Sequence, residues 1–291
     1  MIVAVTGASG FLGRPVCAHL AARGFEVRAL VRDPDVFAHE VPGVRAGRCV
    51  LPDDLDETML AGADVVLHAA WATREVDPER ARRANEDGTR RVVEAARRAG
   101  ARLLFVSSIA AHPDAPSLYG RSKWAMEQAM DGARDAVIRP GLVLAPRGHG
   151  LYQQLRGLAA RLHVVPLFGG GRQPLQTVHV DDVCEAVARV IERELTGVLA
   201  VAEPDPVDLG TFLRLMTREM RIRCVFVPLP LPPILAVVRS LERLGVPFPL
   251  RSESLLGMQG MRRVEVGESL ARLGLQVRSA AASLRGIEGG A

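Results

Sequence analysis

Residues 119 to 123 read Tyr-Gly-Arg-Ser-Lys. If this segment is helical, Tyr119 and Lys123 lie one turn apart on a shared face. An ammonium beside a phenol stabilises the phenolate and lowers the phenol's pKa. Such a tyrosine can act as a general acid or base near neutral pH. Composition sharpens the reading. Lys123 is the only lysine among 37 basic residues, and Tyr119 and Tyr152 are the only tyrosines. A lone lysine placed at random among 291 positions would fall four after a tyrosine at only two of them. Arginine does not replace a compact ammonium that shares its proton readily. Ser107 and Ser108 follow the apolar run Arg102 to Val106. A serine at the carboxyl end of a parallel strand can hydrogen-bond a substrate carbonyl or hydroxyl. Serine there can equally serve only as a cap or turn.

A second constellation lies at the start of the chain. Residues 6 to 13 read Thr-Gly-Ala-Ser-Gly-Phe-Leu-Gly, which spaces Gly7, Gly10 and Gly13 as GxxGxxG around Ser9, Phe11 and Leu12. The motif follows an apolar run and opens a helical pattern, the context that dinucleotide binding requires. Glycine permits the tight turn and a close backbone approach to a pyrophosphate. The helix N-terminus adds free N–H groups and a positive dipole end. An NAD site usually places an acid at the end of the second strand, for the ribose hydroxyls. Here that strand ends Val31-Arg32-Asp33. Arg32 suits a 2′-phosphate through charge-assisted bonding, so NADP is favoured. Asp33 keeps NAD open as the alternative.

These groups need elements to hold them. Ile2 to Thr6, Glu26 to Val31, Val44 to Val50, Ala63 to Ala69, Arg102 to Ser107 and Ala136 to Arg139 read as strands. Gly10 to Arg23, Asp56 to Ala61, Glu79 to Ala99 and Ser122 to Gly132 read as helices between them. Continuous apolar strands alternating with helices imply an α/β fold with a doubly wound parallel sheet. A Rossmann domain over residues 1–165 is expected. A smaller, mainly helical lobe is expected over 166–291, with 177–200 returning to the sheet.

Composition narrows the alternatives. The chain is 48% hydrophobic and 24% charged, so it can bury a large core and disorder is not expected. The net charge of +4 is spread along helices, with arginines interleaved among acids as in Arg80 to Glu94. That is a solvated face, not a nucleic-acid patch. Cys17, Cys49, Cys184 and Cys224 are scattered, without metal-ligand or disulfide spacing, and no metal is expected. No leader or membrane span is read, since the most apolar stretch, Val225 to Val238, is short and rich in proline. A cytoplasmic protein is expected, with a small-molecule substrate and neither nucleic acid nor membrane as partner.

The glycine motif, strand-end serine and Tyr-x-x-x-Lys together resemble the short-chain dehydrogenase/reductase superfamily, and more narrowly its extended, epimerase/dehydratase-like branch. The resemblance spans residues 1 to about 275. It implies that Ser108 is the catalytic serine, with Ser107 the fallback, that Tyr119 is the acid/base and that Lys123 activates it. Tyr119 and Lys123 then also contact the cofactor. Asn85 resembles the helix asparagine that supports the lysine through water. Asp54-Leu55 resembles an adenine contact, and Ala69-Ala70, after His68, resembles the end of the fourth strand. Pro140, after Arg139, resembles the loop beside the nicotinamide. Val178 to Val183 resembles a late hallmark that leads into a helix. Its Asp181 and Asp182 are read as helix N-caps, and His179 as a packed strand residue. Members acting on nucleotide sugars commonly carry an arginine where alignment places Leu175 here, and Arg172 lies three residues earlier. Residues 228–250 instead resemble members similar to a complex I accessory subunit and to general reductases.

The leading expectation is an NAD(P)-dependent oxidoreductase acting on a carbonyl or secondary alcohol. The alternatives are a nucleotide-sugar epimerase or dehydratase, and a cofactor-bound sensor or assembly subunit without turnover. The family often pairs two long helices per subunit, here 79–99 and 118–132, so a homodimer is expected.

Overall fold

Ile2–Thr6 (β1) holds Val3, Ala4 and Val5 with no exposed surface, which explains its unbroken apolar reading. Each fully buried valine contributes about 1.5–3 kcal/mol of apolar burial. The computed structural model describes residues 1–41, 44–73, 75, 77–148, 150–246 and 251–288. From β1 the chain runs through α1 (Gly13–Ala22), β2 (Glu26–Val31), α2 (Pro34–Glu40), β3 (Arg45–Val50) and β4 (Asp54–Leu55). Then follow β5 (Val65–His68), α3 (Pro78–Arg82), α4 (Gly88–Arg98), β6 (Arg102–Val106), α5 (Leu118–Glu127) and β7 (Ala136–Pro140).

The chain next leaves the sheet as β8 (Leu142–Leu144), α6 (Leu151–Leu162), β9 (Val164–Phe168), β10 (Pro174–Leu175) and β11 (Thr177–His179). It returns through α7 (Val180–Glu192) as β12 (Gly197–Val201). The remainder is β13 (Val207–Asp208), α8 (Leu209–Glu219), β14 (Val225–Leu229), α9 (Leu231–Arg243), α10 (Ser252–Gln259), α11 (Gly267–Leu273) and α12 (Ala280–Glu288).

The main sheet has the order β12-β7-β6-β5-β1-β2-β3-β4. All its pairs are parallel except β3 with β4. This is the doubly wound α/β arrangement expected from the sequence. Strand order reverses direction between β1 and β5, the switch point where such sheets bind ligands at their carboxyl ends. Gly7 sits there at φ 69°, and a Cβ on it would lie 2.6 Å from the Ala70 backbone. Only glycine lets these two strand exits abut.

Several local expectations are corrected. The helix expected over 79–99 is broken into α3 and α4 by a π-helical turn at Arg83–Asp87. Asp56 to Ala61 holds only a 3-10 turn, Glu57–Leu60. The helix expected from Ser122 starts at Leu118, because Ser117 caps it, and ends at Glu127. At α7 the cap is His179, whose Nδ1 accepts from the Asp181 N–H at 3.2 Å, while Asp181 and Asp182 lie in the first turn.

The lobe has its own apolar cluster, and no break in packing marks residue 166. Leu144, Tyr152, Leu155 and Val165 already belong with Leu209, Phe212, Met258 and Leu284. The lobe is mostly helical, but β14 pairs in parallel with β9, a strand that straddles the expected boundary. Of the stretches expected to belong to the lobe, residues 247–250 and 289–291 lie outside the described residues.

Candidate active site

The start of α5 is fixed from two sides. Ser117 accepts the Gly120 N–H at 3.2 Å, and Glu253 of α10 accepts the Leu118 N–H at 2.8 Å. Gly120 packs hard against the loop after β6: a Cβ would lie 2.5 Å from the Ala110 carbonyl and 2.7 Å from the Ala115 Cβ. That close seating brings Tyr119 to the end of β6, beside the Ser108 side chain, which eases ionisation of the phenol. Ser108 Oγ accepts from the Ala110 N–H at 3.1 Å. Tyr119 is 36% exposed as a residue. Even so, desolvation pushes its pKa up, with Ser108 pulling the other way.

Lys123 is 3% exposed. Its Nζ donates to the Val106 carbonyl at 2.6 Å and lies 3.7 Å from the centre of the Trp71 ring. Burial drives its pKa well below the ordinary lysine value, with Glu127 pulling the other way. At Tyr119, burial outweighs the lowering expected from the Lys123 charge. Desolvation dominates both groups.

The two serines separate cleanly. Ser107 is buried and donates to Glu127, which also accepts from Arg139 Nε at 2.9 Å. Ser107 is therefore occupied in a buried network, and Ser108 is the serine beside Tyr119. Asn85 is also buried, inside the π turn, but its Oδ1 accepts from the Ala72 N–H at 2.6 Å. That bond goes to the loop after β5 and not to Lys123. His68 bridges Thr6 Oγ1 at 2.6 Å and Thr89 Oγ1 at 2.9 Å. Burial and then the Lys123 charge push its pKa down to about 3, so it stays neutral.

The cofactor residues named from the sequence gather along the carboxyl edge of the sheet. Gly10 and Gly13 fold the turn back on itself: a Cβ on either would come within 2.9 Å of the turn's own backbone. Ser9 is exposed, Phe11 is half-buried, and Leu12 begins α1 without a side-chain cap. An uncapped helix start behind a glycine turn fits a pyrophosphate. Ala69 and Ala70 border this turn at the exit of β5. Pro140 is buried at the end of β7 and accepts from the Ile109 N–H at 3.0 Å.

At the end of β2, Arg32 is exposed. Asp33 caps α2 by accepting the Val36 N–H at 3.2 Å, so the alternative ribose contact already has a structural task. Arg48 lies beside it, donating to the Arg32 carbonyl at 3.2 Å and to Asp54 at 2.8 Å. Leu55 is buried in the apolar cluster of Met59 and Leu60.

Sequence reasoning passed over Trp71, Glu127, Arg48 and Glu253. Glu127 had a signal, being four residues beyond Lys123 on one helix. Trp71 directly follows His68-Ala69-Ala70. Arg48 and Glu253 arrive through strand pairing and lobe packing and had none.

Comparison with known proteins fits this geometry. Residues 3–201 match the profile of the NAD dependent epimerase/dehydratase family. The chain is 37% identical over 211 residues to a ceramide reductase of Caulobacter vibrioides, covering 69% of this chain and 63% of that protein. It is 34% identical over 251 residues to a 3-diazoavenalumate denitrifying reductase of Streptomyces, covering 73% of this chain and 79% of that protein. Among solved structures, the human epimerase family protein SDR39U1 with NADPH superposes with a TM-score of 0.74 at 21% identity, over all of both chains. MoeE5 in complex with UDP-glucuronic acid and NAD superposes with a TM-score of 0.73 at 21% identity, over 98% of each. The chain belongs to the NAD-dependent epimerase/dehydratase family, the extended branch of the short-chain dehydrogenases/reductases. Its class of chemistry is accordingly NAD(P)-dependent oxidoreduction.

Proposed function

We propose that this chain is a reductase that prefers NADP and acts on the carbonyl of a small molecule, with Ser108, Tyr119 and Lys123 as its catalytic groups. The observation that carries the reading is the grouping itself: α5 brings Tyr119 to the end of β6 beside Ser108, with the buried Lys123 one turn further on and bonded to the Val106 carbonyl. A protonated phenol is a general acid, the form that reduction of a carbonyl uses. Tyr119 donates its proton to the substrate oxygen, and Ser108 hydrogen-bonds the same oxygen. Lys123, one turn along α5, stabilises the phenolate left behind. The nicotinamide cofactor, when bound, supplies the hydride. Gly7, Gly10 and Gly13 with the α1 N-terminus hold its pyrophosphate, and Ala69, Ala70 and Pro140 border it. Arg32, backed by Arg48, takes the 2′-phosphate. Asn85 supports the site indirectly by fixing the Ala72 backbone.

The nucleotide-sugar epimerase reading rests on structural neighbours such as MoeE5. Against it, the position expected to carry an arginine is Leu175, buried in the lobe cluster, and Arg172 is exposed. The reductase proposal also has the chain act in the cytoplasm as a homodimer joined through residues 79–99 and 118–132; light scattering tests the dimer. No described helix is long and apolar enough to cross a membrane.

The deciding experiment is calorimetric titration with NADPH and with NADH, after denaturing release of any bound nucleotide. Preference for NADPH with nothing retained supports the proposal. Arg32→Ala should weaken NADPH binding and spare NADH. Retained NAD shifts the assignment to the epimerase.

A further inference from the structure

Trp71 sits where three parts of the site meet. Its ring centre lies 3.7 Å from Lys123 Nζ. It meets the Tyr119 ring in a T-shaped contact at 6.3 Å and 85°. It also packs on Phe105 at 6.1 Å and 51°. Phe105 also presents its own face to Lys123 Nζ at 4.6 Å. Among the described residues, Lys123 Nζ meets the Val106 carbonyl and two aromatic faces. An ammonium is attracted to the negative face of an aromatic ring, most strongly when desolvated.

We propose that Trp71 is a positioning residue for the Tyr119–Lys123 pair: its indole face holds the Lys123 ammonium and its T-shaped contact seats the Tyr119 ring. The inference rests on the reading of Tyr119 and Lys123 as the proton-transfer groups. The titratable and charged groups around Lys123 are few. Glu127 lies one turn further along α5, already bound to Arg139 of β7 and to Ser107. Tyr119 lies one turn earlier. His68 of β5 is neutral. Glu86, in the π turn beside α5, is bonded to Ser122 at 2.8 Å. The buried ammonium therefore depends on the indole as well as on Glu127. The T-shaped contact from the same ring makes the position of Tyr119 depend on it too.

Lys123 being the sole lysine makes the test direct. The full chain labelled with 15N-lysine gives one Nζ resonance, whose titration is followed in the parent, Trp71→Phe and Trp71→Leu. Leucine fills the space with apolar atoms but offers no π face. Trp71→Leu is expected to lower the Lys123 pKa by on the order of one pH unit, and Trp71→Phe to restore most of that shift. The pH profile of NADPH-dependent reduction of a ketone should move with it in Trp71→Leu.

An unchanged Lys123 titration in Trp71→Leu overturns the inference. So does a rise, which would mean that the indole shields Lys123 from water more than it binds it. If the titration shifts while the pH profile stays in place, Trp71 does hold the ammonium, but Lys123 is not the group that governs turnover. Should Trp71→Leu fail to fold, Trp71→Met gives the same contrast, and Trp71→Phe must still keep the parent titration.

Discussion

Glu127 is the acid on which the hidden side of the site converges, and removing it should be costly. Its side chain is 2% exposed, and it accepts from Ser107 and from two nitrogens of Arg139. Breaking a buried ion pair by deleting one partner costs about 3–5 kcal/mol, because the other charge is left unpaired. The Arg139 side chain keeps 24% of its surface exposed and can recruit some water, which favours the lower end. Ser107 also loses its acceptor, worth about 1–3 kcal/mol alone but not additive with the pair. Glu127→Ala should therefore lose about 3–4 kcal/mol, read in urea unfolding with an unchanged slope. Glu127→Gln keeps neutral acceptors and should lose about half as much. Replacing both partners, as in E127L/R139M, should recover most of the loss, since the unpaired charge is gone. A Glu127→Ala protein within about 1 kcal/mol of the parent would refute the reasoning, because the pair would then behave as an exposed one.

The adjacent serines should part company. Ser108→Ala should cut kcat/KM about a hundredfold with little change in stability, whereas Ser107→Ala should cost about 1 kcal/mol of stability and leave turnover nearly intact. Steady-state kinetics beside melting curves separate them. His68 supplies a pH dependence whose sign follows from its depressed pKa of about 3. The unfolded chain takes up a proton near pH 6.5 that the native state refuses. Stability is full above that pH and falls as pH drops toward 3, by up to about 1.4 kcal/mol per pH unit from this group. His68→Gln should flatten that stretch of the unfolding free energy against pH, and an unchanged slope would show that the imidazole does not titrate as described.

The Rossmann half was legible because strands buried on both faces read as continuous apolar runs, and because Gly7, Gly10 and Gly13 carry their steric reason with them. The lobe was harder. Its short strands β8, β10 and β11 pair with distant partners, and a two- or three-residue strand leaves no periodicity to read. Tyr119 and Lys123 were visible as a spaced pair, but spacing reveals nothing of burial. Burial set both pKa shifts and outweighed the influence expected of Lys123 on Tyr119. Ser107 and Ser108 were ranked only by the resemblance, because successive residues at a strand end point to opposite sides and the spacing does not say which side is the site. Which side faces α5 is decided by packing that includes Gly120 and Glu253, residues that say nothing in isolation.

The most direct test of the central claim compares the parent chain with Tyr119→Phe, mixed with NADPH and a panel of ketones and aldehydes, following loss of the reduced nicotinamide absorbance. The account predicts that the parent consumes NADPH only when a carbonyl is present, and that Tyr119→Phe is at least about a hundredfold slower while binding NADPH as well as the parent does. Equal rates for the two proteins would contradict it, because the buried phenol would then not be the proton donor.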